Sequence, residues 1–128
     1  MAREMAVLAE AGQRLDGRKA SSRPVDLVHL SRYTLGEREL EREVLELFCS
    51  QSGIYLERLR DAASDQHWRD AAHSLKGSAL AIGAWRAAEV AERAEGLSGS
   101  ALEDGRHARL SELESSVQEA KAYIRSLF

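Results

Sequence analysis

QHWRDAAHSLKGSALAI, residues 66–82, is the stretch whose reading decides how this chain folds. Trp68, Ala72, Leu75, Ala79 and Ile82 recur at steps of four, three, four and three, which places them along one side of an α-helix. Gly83 follows at once and suits a helix-ending turn. Ser64 and Asp65 precede the stretch, and either can cap its first turn. The spacing therefore predicts a helix from about Gln66 to Ile82.

Outward from this helix, the same period continues on both sides. Residues 84–95 hold Ala87, Ala88, Ala91 and Ala94, small side chains that let a neighbouring helix approach closely. The run GLSGS then closes that element. Leu110, Leu113, Val117, Ala120, Ile124 and Leu127 alternate three and four without a slip and mark a long last helix. Ser100 and Glu103 have the spacing of a capping box near its start. Upstream, Leu40, Val44, Leu47, Phe48, Tyr55, Leu59 and Ala62 form another stripe from about Glu37, with a kink expected over Cys49–Gly53. A brief helix through Leu27, Val28 and Leu30 precedes it and ends near Gly36. No strand pattern is found. The predicted fold is all-α: an antiparallel up-down four-helix bundle with additional short N-terminal helices.

Composition agrees with that class. The 128 residues are 44% hydrophobic and 30% charged, with a single proline, which argues against wholesale disorder. One domain is expected over residues 24–128, with residues 1–23 as an N-terminal helical extension or linker in which Met5, Leu8 and Leu15 line a short helix. Pro24 marks the join. Eighteen basic and 21 acidic residues are well mixed, so no basic stripe for nucleic acid is present. The apolar run Met5–Ala9 is too short for a signal segment, and nothing approaches the roughly 20 apolar residues of a membrane span. With Cys49 as the single cysteine, a cytoplasmic protein is the expectation. His29, His67 and His107 are scattered and read as structural or surface residues, and no metal-ligand spacing occurs.

The central helix carries an anomaly. His73 falls off the apolar stripe, and so do Arg69, Lys76, Gly77 and Leu80, its neighbours one and two turns away. One exposed ridge is thus predicted to present a histidine, a lysine one turn on, and a glycine beside the histidine. A glycine inside a helix costs about 1 kcal/mol relative to alanine. On this ridge its physical use is clearance, since the missing Cβ lets another protein approach His73. An imidazole near neutral pH is a nucleophile, and the ammonium of Lys76 would stabilise a phosphoryl group carried on it.

His-Ser-Leu-Lys-Gly-Ser at 73–78, followed by Ile-Gly-Ala at 82–84, resembles the signature of the histidine-containing phosphotransfer family. Val-Asp-Leu at 25–27, Leu-Glu-Leu-Phe at 45–48 and Ala-Glu-Val-Ala-Glu-Arg-Ala-Glu at 88–95 are similar to family patterns too. The resemblance implies that His73 accepts a phosphoryl group through Nε2, that Lys76 steadies its oxygens, that Gly77 gives clearance and that Gly83 serves the turn. Arg69, Leu80 and Gly83 would belong to the docking face. Such proteins often carry a glutamine 22 residues beyond the histidine to hold the imidazole Nδ1; here that residue is Glu95, whose carboxylate can accept the same bond.

The implied partners are receiver domains of response regulators and hybrid histidine kinases, with no nucleic acid and no membrane. No cofactor is expected on this chain, because Mg²⁺ belongs to the partner receiver. One histidine on one bundle needs no dimer, so a monomer is expected. The implied role is a phosphocarrier without autokinase activity: no acidic residue follows His73 directly, and no glycine-rich ATP-binding segment is present. The alternative is a helical adaptor that is never phosphorylated at histidine.

Overall fold

The computed structural model describes residues 3, 4, 7 and 23–128. Among them are five helices and no strand: α1 (Leu27–Thr34), α2 (Arg38–Asp61), α3 (Asp65–Ala81), α4 (Trp85–Glu95) and α5 (Gly99–Ser126). The helix expected over Met5, Leu8 and Leu15 lies outside the described residues. Each of the turns α2–α3, α3–α4 and α4–α5 is three residues long, so successive helices pack on one another. Helix α5 also packs on α2, and the four long elements enclose a common core. None of the described helices is long and apolar enough to cross a membrane.

The stripe of α3 is the centre of that core. Trp68, Ala72, Leu75, Ala79 and Ile82 are all fully buried. Ala87, Ala88, Ala91 and Ala94 of α4 are buried against them, which is how the small side chains bring the two helices together. Ser64 caps α3, its hydroxyl oxygen accepting from the His67 amide at 3.1 Å. At the other end Ala84 N donates to Ala79 O at 2.8 Å and Gly83 N to Leu80 O at 3.2 Å, the pair of bonds that closes a helix through a left-handed residue. Gly83 has φ +72°, and a Cβ there would fall 2.5 Å from Cβ of Asp26. Only glycine fits.

Asp26 uses that space to fasten α1 onto the α3–α4 turn. Its amide donates to Gly83 O at 3.0 Å, Oδ1 caps α1 by accepting from His29 N at 3.0 Å, and Oδ2 accepts from the Trp85 indole at 3.2 Å. Behind it the His29 ring packs edge-on to Trp85 and tilted against Tyr33, 5% exposed.

Helix α2 runs unbroken through residues 49–53, where Phe48, Ser52 and Leu56 are seated in the core. Two local expectations are corrected. Helix α5 begins at Gly99 rather than at a box of Ser100 and Glu103; its N-cap is Ser98 without a side-chain cap, and the Gly99 amide is taken by Asp65 Oδ2 at 2.9 Å. Gly105 lies inside that helix, where burial of Leu102 on the preceding turn offsets its poor propensity. Leu127, expected in the apolar stripe, lies just past the helix end and is 38% exposed.

Candidate functional site

The site is assembled by α3 and the last residue of α4. His73 stands on α3 with its side chain 68% exposed, as its position off the apolar stripe predicts. Across the helix pair, 22 residues on, Glu95 Oε2 lies 2.8 Å from His73 Nδ1. The other oxygen of the same carboxylate, Oε1, lies 2.7 Å from Nζ of Lys76. Lys76 and Glu95 are four-fifths buried, so this is a partly shielded ion pair with a projecting imidazole attached to it.

The carboxylate decides the protonation pattern of the ring. Burial on its own would raise the Glu95 carboxyl, but hydrogen bonds and charge from Lys76 and His73 outweigh it and hold the group below the ordinary carboxylate value. An ionised carboxylate only accepts hydrogen bonds, so Nδ1 must be the protonated nitrogen. In the neutral ring Nε2 then carries the lone pair, and it has no hydrogen-bond partner among the described residues. The result is an oriented, exposed nitrogen nucleophile.

Gly77 lies beside the histidine, and a Cβ built on it meets nothing within 4 Å. Its bareness therefore faces open space rather than a packed helix. Arg69, one turn before His73, is half-buried and donates through Nη1 to Gln66 Oε1 at 3.0 Å on its own helix. It flanks the histidine without joining the carboxylate.

Leu80 is a correction. Expected on the exposed ridge, it is 2% exposed. Leu80 lies at the C-terminal end of α3, where the His29 ring sits beside its backbone and Asp26 is bonded to the following turn. The ridge is thus free at His73 and covered two turns later. Gly83 is buried as well, so its place is in the turn and not on a docking face.

The sequence reading missed two things. Ile54 on α2 is 49% exposed and borders an open groove of about 510 Å³ between α2 and α3, which reaches Asp70 and Ser74 next to the histidine. Ile54 follows Leu47 by seven residues and so shares its edge of the α2 stripe, which leaves no spacing signal of its exposure. The second is a cross-tie: the indole N–H of the buried Trp68 donates to Ala94 O at 2.7 Å. No spacing rule announces a side chain bonding to a backbone carbonyl 26 residues away.

Among the described residues no group of three or more His, Cys, Asp or Glu side chains is placed to hold a metal ion. Comparison with curated proteins and with solved structures gives no match. The family model of the Hpt domain matches residues 43–123, more than half of the chain and a span that includes His73, Lys76, Gly77 and Glu95. By that match the chain belongs to the Hpt domain family.

Proposed function

We propose that this protein carries a phosphoryl group on Nε2 of His73, receiving it from the aspartyl phosphate of one receiver domain and delivering it to the aspartate of another. Hpt domains act in histidine phosphotransfer within phosphorelays, as phosphocarriers that interact with receiver domains. The observation that carries the reading for this chain is the exposed imidazole whose Nδ1 is held by an ionised carboxylate.

In the loading step the Nε2 lone pair attacks phosphorus, an N–P bond forms, and the P–O bond to the receiver aspartate breaks, returning a carboxylate. The Nδ1 proton stays on the ring. As Nε2 gives up its lone pair the ring becomes cationic, and Glu95 offsets that charge at 2.8 Å. Lys76 can turn from Glu95 to the arriving phosphoryl oxygens. Unloading runs the same steps in reverse. Positioning and charge compensation do most of the work in such transfers, and Mg²⁺ is supplied on the receiver.

The arrangement of α2 to α5, each packed on two of the others and joined by three-residue turns, supports an antiparallel up-down four-helix bundle. Residues 24–128 form the phosphotransfer unit, acting as a cytoplasmic monomer. The receiver docks across His73 over Gly77, with exposed Ile54 as the apolar contact in place of Leu80.

Mixing the chain with a phosphorylated receiver tests the reading. Label is expected to move onto this chain as an acid-labile, alkali-stable adduct, and His73→Gln is expected to abolish it. Label that persists in the variant would defeat the site, and no transfer from any receiver of the source organism would leave a helical adaptor. Incubation with labelled ATP alone is expected to give no label; self-labelling would instead make the chain a kinase.

A further inference from the structure

Glu95 is the last residue of α4, followed directly by Gly96. Side chains in that position sit in the turn where helices fray, because the final carbonyls lack intrahelical donors. Yet its carboxylate must reach both His73 Nδ1 and Lys76 Nζ, and something has to hold the turn in place.

Trp68 supplies the hold. Its indole is fully buried, five residues before His73 on the same helix. The 2.7 Å bond from Nε1 lands on the carbonyl of Ala94, the residue before Glu95. The same carbonyl also accepts from Leu97 N at 3.1 Å, which closes the turn. Arg106 of α5 lies over the indole ring at 5.3 Å, and its Nη2 donates to Leu59 O, Ala62 O and Arg60 O at 3.0, 2.9 and 3.1 Å. The indole is thus held at its edge by the Ala94 carbonyl and over a face by Arg106, and the end of α4 is tied to the helix that carries the histidine.

We infer that Trp68 is a positioning residue for phosphotransfer: its indole N–H fixes the last turn of α4 so that Glu95 selects the Nδ1–H tautomer of His73. The inference rests on the reading of His73 as phospho-acceptor, but its central claim concerns the ring and is measurable without any phosphate.

Nitrogen-15 NMR of the His73 ring in the full chain is the primary measurement. Wild type shows Nδ1 protonated and Nε2 bare; Trp68→Phe, which keeps an aromatic ring but loses the donor, shows a mixture of tautomers. Loading from phosphoramidate slows about three- to ten-fold, the effect of one hydrogen bond's worth of orientation. In a Glu95→Ala background Trp68→Phe adds nothing further, because the residue it acts through is gone. Should Trp68→Phe fail to fold, benzothienylalanine placed at position 68 keeps the indole shape and removes the N–H alone. A wild-type tautomer pattern in either folded variant overturns the inference, and so does a rate loss undiminished by Glu95→Ala. If wild type takes no label at His73, the functional reading falls while the tautomer measurement still decides the role of Trp68.

Discussion

Oε1 of Glu95 lies 2.7 Å from Nζ of Lys76, so the lysine charge beside His73 is already paired before any phosphoryl group arrives. The pair shares its carboxylate with the histidine, which makes Glu95 the junction of the site.

Substitutions at Glu95 separate its two roles. In Glu95→Gln the amide oxygen still accepts from Nδ1, while Lys76 loses its anion. Loading of His73 from phosphoramidate is expected to stay within about three-fold of wild type, and Glu95→Ala, which leaves Nδ1 unheld, to be slowed about ten-fold. Wild-type loading kinetics in Glu95→Ala would remove the orienting role.

Gly77 should trade stability against access. A Cβ there enters open space, so Gly77→Ala is expected to raise unfolding stability by about 1 kcal/mol in urea titrations. Gly77→Gln is expected to fold equally well and to load normally from phosphoramidate, yet to accept phosphate slowly from a receiver. Equal receiver kinetics in wild type and variant would contradict the clearance argument.

Leu80 should behave as core. Its 2% exposure predicts that Leu80→Ala lowers stability by about 2–5 kcal/mol. A docking residue would leave the urea midpoint in place and weaken receiver binding instead, and that result would contradict the burial seen here.

His29 should make stability pH-dependent. Burial pushes its imidazole below the ordinary 6.5, against the opposing pull of Asp26 and the Leu80 backbone, with Arg32 adding to the depression. The unfolded chain therefore takes up a proton below about pH 6.5 that the folded ring refuses. Stability contributed by the neutral ring is full above that pH and is lost as the pH falls toward the folded value, by at most about 1.4 kcal/mol per pH unit. Urea unfolding from pH 7.5 to 5.5 is expected to show a steeper loss for wild type than for His29→Phe, which keeps the contacts with Trp85 and Tyr33. Parallel curves would count against the assignment.

Periodicity alone located α3, its buried side and therefore the exposure of His73, because the angular position of a residue on a helix follows from its number. It also marked Gly83, since a glycine directly after an apolar stripe suits a helix-ending turn and takes a positive φ with no Cβ in the way. Tertiary structure decided what covers each side. Leu80 has nearly the same helical angle as His73, yet it is buried while the histidine is exposed; it lies at the end of α3 where Asp26 is bonded to Gly83, two residues from different parts of the chain. Glu95 became the partner of both His73 and Lys76 only when α4 packed on α3, and Trp68 reached the Ala94 carbonyl by the same packing. Local sequence sets which direction a side chain faces; what it meets there depends on residues far away along the chain, brought in by burial of the shared apolar face.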